Sequence, residues 1–124
     1  MRKGFTMIEL IVVMVIIGIM AGFSIPAFMK SVNRTAARNA ILNSNVIHSS
    51  NVLYRIRNGV NLTAANLAAV NTALGLNIVG NATTYVCNAA TCVATGTGFT
   101  VTTTLAAALA ANNVNPVCAG ASCP

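Results

Sequence analysis

Acidic residues are almost absent from this chain. Its 124 residues include 7 Lys+Arg but only 1 Asp+Glu, and that one acid is Glu9. The scarcity excludes whole classes of chemistry. Paired carboxylates for acid–base catalysis cannot be assembled, nor can the oxygen-rich cage that Ca²⁺ or Mg²⁺ requires. The one histidine, His48, has Glu9 as its sole possible carboxylate partner and no second metal ligand beside it. Aromatic content is 5%, so Tyr54, Tyr85 and the four Phe are expected as core or contact residues and not as a stacking array. Charged residues make up only 6% of a chain that is 56% hydrophobic, which argues against disorder. No catalytic site, metal or cofactor is expected, so the chain does not read as an enzyme.

The charge that exists is confined to one end. From Gly59 to Pro124 there is no Asp, Glu, Lys, Arg or His. That half cannot hold nucleic acid through charges of its own, and no specific nucleic-acid binding is expected. The length suits one domain.

The first half opens on Met1-Arg2-Lys3-Gly4 and then turns apolar. Leu10 to Met29 is an uncharged run of twenty residues. As a helix it would rise about 30 Å, the hydrocarbon thickness of a bilayer. A chain this short has little to wrap around such a segment, so a membrane span is favoured over a buried core helix. A secretory signal is the competing account. Its apolar region should be shorter and end at a small-x-small cleavage site, whereas here the helical pattern runs on. Arg2 and Lys3 favour a cytoplasmic start, while Lys30, Arg34 and Arg38 beyond the run oppose that rule. Glu9 is the outlier, because a carboxylate at membrane depth is costly and marks a candidate functional site.

These residues carry a resemblance. Gly4-Phe5-Thr6-Met7-Ile8-Glu9-Leu10 resembles the processing motif of type IV prepilins, a short basic leader ending in Gly followed by Phe-Thr-x-x-Glu. Gly18 and Pro26 also stand where the type IVa pattern has Gly and Pro. The likeness covers about residues 1–30. It implies that a prepilin peptidase cuts the Gly4–Phe5 bond and that Phe5 becomes an N-methylated N-terminus. It further implies that Glu9 meets the Phe5 amine of a neighbouring subunit. Charge pairing of this kind offsets the cost of taking both groups out of water. Pro26 should kink or locally melt the helix, and Gly22, four residues earlier, would ease this.

Past Met29 the helix is expected to continue. Leu42, Val46, Ser49, Leu53, Ile56 and Val60 recur at 4-3-4-3 spacing, one face of a helix and the expected core face. Lys30, Arg34 and Arg38 form a basic stripe, read first as a solvated face and second as a contact for lipid headgroups or fibre neighbours. Asn58-Gly59 is the expected stop. A short helix is expected within 61–75, with Thr63 as its N-cap and Leu67, Val70 and Leu74 on one face. The segments 83–87, 92–94 and 99–103 read as strands, 88–91 as a hairpin loop and Gly96 with Gly98 as a bend. Leu105 to Ala111 is ambiguous between strand end and helix, and 112–116 reads as a loop.

The 4 cysteines are Cys87, Cys92, Cys118 and Cys123. Export favours disulfides over a zinc site. Three connectivities are open, and the local one, Cys87–Cys92 with Cys118–Cys123, is favoured. Each small loop would contribute about 2–3 kcal/mol. Three N-x-Thr sequons begin at Asn33, Asn61 and Asn81, but Asn is common enough here for chance matches.

The fold expected is α+β and pilin-like, with one long N-terminal helix packed by its second half on a small antiparallel sheet. Residues 1–4 form the leader, 5–58 the helix with 5–29 as membrane segment and filament core, and 59–124 the head. The resemblance implies a structural subunit that polymerises into a type IV pilus for adhesion, motility or DNA uptake. A minor pilin or a pseudopilin of a type II secretion-like system is the alternative. The implied partners are identical copies in a helical filament, the inner membrane before assembly, the prepilin peptidase and the assembly machinery. The implied location is the bacterial inner membrane for the precursor and an extracellular filament for the assembled protein.

Overall fold

The computed structural model describes residues 4–105 and 116–124. Six elements follow in chain order: α1 (Met7–Asn58), α2 (Leu67–Leu74), β1 (Thr84–Cys87), β2 (Thr91–Gly96), β3 (Phe99–Thr104) and β4 (Val117–Ala119). The chain divides into two compact units, Met1–Val32 and Asn33–Pro124. The segments read as ambiguous or loop beyond Leu105 fall largely outside the described residues.

The first unit is helical from Met7, and all its described residues are exposed. Its sequence is rich in Ile and Val, which have only modest helix propensity in water. In an apolar surrounding the helix satisfies every backbone group internally, which makes it the natural form for such a run. The chain stays helical across Pro26, although Pro26 offers no N–H to the carbonyl of Gly22. Two residues before the proline, the Ser24 hydroxyl donates to the Met20 carbonyl at 2.9 Å.

In the second unit α1 turns a face of small and polar residues inward: Ala37, Ala40, Ser44, Ile47 and Asn51 are its buried residues. This corrects the expected core face. Leu42 and Leu53 are each 62% exposed and Ile56 is 74% exposed, and Val46, Ser49 and Val60 are exposed too. Spacing identifies a stripe but not what it faces. The sheet already carries Tyr85 and Phe99 on its inner side, and a helix with Ala and Ser at the contact can approach such side chains closely.

The sheet is fully antiparallel in the order β1-β2-β3-β4. Strand alternation sends Tyr85, Cys87, Cys92, Ala94, Phe99, Val101 and Thr103 inward, where they meet Ala37, Ala40 and Ile47 of α1 in one core. Cys87 and Cys92 are register partners and are joined by a disulfide. The turn between them is held by Asn88, whose side-chain oxygen accepts from the amides of Ala90 at 2.8 Å and Thr91 at 2.6 Å. A second disulfide joins Cys118 and Cys123. Between those cysteines Gly120 adopts φ +127°, and any Cβ there would collide with the backbone of Gly98 and Phe99.

α2 is capped by Asn66, whose side-chain oxygen accepts from the Ala69 amide at 2.9 Å, and not by the expected Thr63. Both residue types cap well, but Asn66 stands immediately before the apolar residues Leu67, Val70 and Leu74. The helix ends on Gly75 at φ 66°, with the Leu76 amide donating to the Asn71 carbonyl. Thus the architecture is α+β and pilin-like: a long N-terminal helix whose second part packs on a small four-stranded antiparallel sheet.

Candidate functional site

Helix α1 begins with a self-contained cap. The Thr6 amide donates to Glu9 Oε2 at 3.4 Å, and the Thr6 hydroxyl donates to the same oxygen at 3.3 Å. In return the Glu9 amide donates to the Thr6 carbonyl at 3.1 Å. Thr-x-x-Glu is the capping-box pattern, so the signal for Thr6 is present in the sequence. A carboxylate in the first turn also suits the positive end of the helix dipole. Both side-chain contacts are long and exposed, so the cap holds the carboxylate loosely. Among the described residues no cation pairs with Glu9. Gly4 and Phe5 are exposed just ahead of the cap, and Phe5 is 81% exposed.

Beyond the first turn the apolar run presents Ile, Val, Leu, Met and Phe side chains with no cover. Its length and hydropathy suit a membrane crossing. Gly22 and Pro26 lie within this run, inside the continuous helix. In the second unit the outward stripe of Leu42, Val46, Leu53 and Ile56 is likewise uncovered. Arg34 and Arg38 are exposed on the same helix and make no ion pair among the described residues. His48 is half-buried, and its Nδ1 is buried without a hydrogen-bond partner.

Two polar positions in the second unit escaped the sequence reading. Asn51, 1% exposed, accepts from the Leu62 amide at 2.8 Å and donates to Asn61 Oδ1 at 3.1 Å. Asn61 passes its own amide hydrogen to the Ala89 carbonyl at 2.9 Å, so one chain of amides ties α1 to the segment after it and to the β1–β2 turn. Asn43 donates to the buried Tyr85 hydroxyl at 3.0 Å. Burial pushes the Tyr85 phenol above its ordinary range, and the Asn43 hydrogen bond opposes that shift. The available signal for Asn51 was its phase, since it repeats at helical spacing with Ala37, Ala40, Ser44 and Ile47.

Residues 1–25 match the prokaryotic N-terminal methylation motif. The chain is also similar to proteins of Dichelobacter nodosus named type IV major fimbrial protein FimA, at 46% identity over 41 residues. A D. nodosus protein named fimbrial protein matches to the same extent. Each match covers 33% of this chain and 26% of the relative, so the chain spans about a quarter of the length of the curated relatives it matches. No solved structure matches.

Proposed function

We propose that this chain is a structural subunit that polymerises through α1 into a filament, a reading supported by the N-terminal methylation motif at residues 1–25 and by the long helix that precedes a small antiparallel sheet. The observation that carries this reading is the uncovered apolar helix with one carboxylate at its start. A surface of that size is stable only in lipid or against other apolar helices. Lipid suits the single subunit, and copies of the same helix suit the assembled state. Head-to-tail contacts that do not close then give a helical fibre.

In this proposal the Gly4–Phe5 bond is cleaved and the Phe5 amine is methylated. Glu9 exchanges its loose cap on Thr6 for the Phe5 amine of an adjoining subunit, which sets the axial register. Gly22 and Pro26 let the helix adjust when it leaves the bilayer for the filament. The inner membrane holds the precursor, and the peptidase and assembly machinery act on it there. The outward stripe at Leu42, Val46, Leu53 and Ile56 extends the apolar contact beyond the membrane-length segment.

The experiment is to shear surface fibres from cells that express the chain and to measure the intact mass of the subunit. A subunit that begins at Phe5 and carries one methyl group on that amine is expected. Full-length chain recovered from assembled fibres would overturn the processing step. Absence of the chain from any fibre would overturn the function itself.

A further inference from the structure

A cleft of about 490 Å³ lies between the end of α1 and α2. Ser50, Leu53, Tyr54, Arg57 and Asn58 line one side, and Leu74 stands on the other. On α1 these positions are spaced by three and four, so they share one flank of the helix that runs from Leu53 of the outward stripe toward the buried face. The volume lies in the range of small-molecule sites.

The chemistry of the lining is specific. Arg57 is exposed and makes no ion pair among the described residues, although the negative end of the helix dipole favours its position. The Tyr54 ring and the Leu53 and Leu74 side chains supply apolar surface. The Asn58 side-chain nitrogen is committed to the Tyr54 carbonyl at 2.9 Å, which leaves its oxygen to accept from a hydroxyl group. The Ser50 hydroxyl adds a donor and an acceptor.

Charge complementarity narrows the occupant. A guanidinium beside uncharged polar groups calls for an anion, and a planar carboxylate can accept two parallel hydrogen bonds from its fork. Residues 59–124 of a second copy offer no acidic side chain, and Glu9 belongs to the apolar N-terminal segment. A polynucleotide would need several phosphate contacts, and one arginine in a cleft of this size gives too few. The remaining groups, an aromatic ring with a hydroxyl and a carboxamide oxygen, suit a polyhydroxylated ring. We propose that this cleft binds a carboxylated sugar, with Arg57 on the carboxylate, Tyr54 against the ring face, and Asn58 and Ser50 on its hydroxyls.

The site is a property of the single chain, so its test does not depend on polymerisation. The full ¹⁵N-labelled chain in micelles of an uncharged detergent is titrated with methyl glucuronide, methyl glucoside, sodium acetate and a glutamate-containing peptide. Saturable shifts of the Arg57 and Asn58 resonances are expected with the glucuronide, and binding about tenfold weaker or worse with the glucoside. Arg57→Ala should lose the preference for glucuronide over glucoside, Tyr54→Phe should retain binding and Tyr54→Ala should weaken it, while Arg34→Ala leaves everything unchanged. Equal response to acetate would reduce the site to simple anion attraction and overturn the proposal. Equal or tighter binding of the peptide or of the glucoside would overturn it too, as would unchanged glucuronide affinity in Arg57→Ala or no saturable shift with glucuronide.

Discussion

Asn51 and Glu9 are polar residues placed where apolar ones would be expected, and each makes a prediction. Replacing Asn51 by Ala leaves the Leu62 amide buried without an acceptor, which should destabilise the second unit by about 1–3 kcal/mol. Asn51→Asp keeps that acceptor but sets a carboxylate against Asn61 Oδ1 in a dry site. Burial raises such a group's folded pKa above its unfolded one, so relative stability is present in acid and lost as the pH rises through the folded value. Chaotrope unfolding of both variants at acid and neutral pH would separate them, and an acid-insensitive Asn51→Asp would refute the argument. Glu9→Ala removes a charge that is costly in lipid, so expression, insertion and cleavage should be normal. In a fibre held by the proposed Glu9–Phe5 pairing it would leave the neighbour's amine unpaired, at a cost of about 3–5 kcal/mol. Few or no fibres are expected, and wild-type yield from sheared preparations would mean that the carboxylate does not direct assembly.

At the level of elements, the two faces of α1 should respond in opposite ways. Ile47→Ala empties a core position and should cost about 2–4 kcal/mol of unfolding stability. Leu42→Ser and Leu53→Ser change exposed positions and should alter stability by less than about 0.5 kcal/mol, yet lower fibre yield. A stability loss in the Leu→Ser variants comparable to Ile47→Ala would place that stripe in the core after all. The contrast also shows what the sequence could and could not disclose. Helix length, the stop at Asn58-Gly59, the Cys87–Cys92 hairpin and the bend at Gly98 were legible because each depends on local chemistry. The inward face of α1 was not, because large apolar side chains outnumber small ones and the choice is made by the sheet across from them. β4 was missed for a similar reason: three residues, Val117–Ala119, become a strand only because β3 offers an edge. The cap on α2 was misplaced between two equivalent polar residues. Within the candidate site Glu9 stood out as a lone acid, whereas Thr6 and Asn51 resembled ordinary polar residues until their partners were known.

For the whole molecule the main consequence of composition is its response to pH. Gly59–Pro124 contains no carboxylate side chain to protonate and no amine side chain to release a proton. Its cysteines are closed in disulfides, so Tyr85 is its one readily titrated core group. The phenol is raised in the folded state, so its contribution is fully present below the ordinary tyrosine value of about 10 and is lost as pH rises through the higher folded value. Unfolding midpoints should therefore show an alkaline limb that disappears in Tyr85→Phe. An alkaline limb unchanged in that variant would assign the loss to another group.

The disulfides bear on a different kind of demand. Each joins cysteines separated by 5 positions, so neither ties distant parts of the chain together. Under tension from its ends the chain would unravel almost as freely with its bridges intact as without them. Each bridge hides roughly 12 Å of contour, the extended length of five residues less the span of the bridge itself. A single molecule drawn out by force should thus gain only about 25 Å more on reduction. Resistance to pulling in this protein must come from the hydrogen-bonded strand ladder and the packed helix, with the bridges acting as local clips on a thread that can still run out.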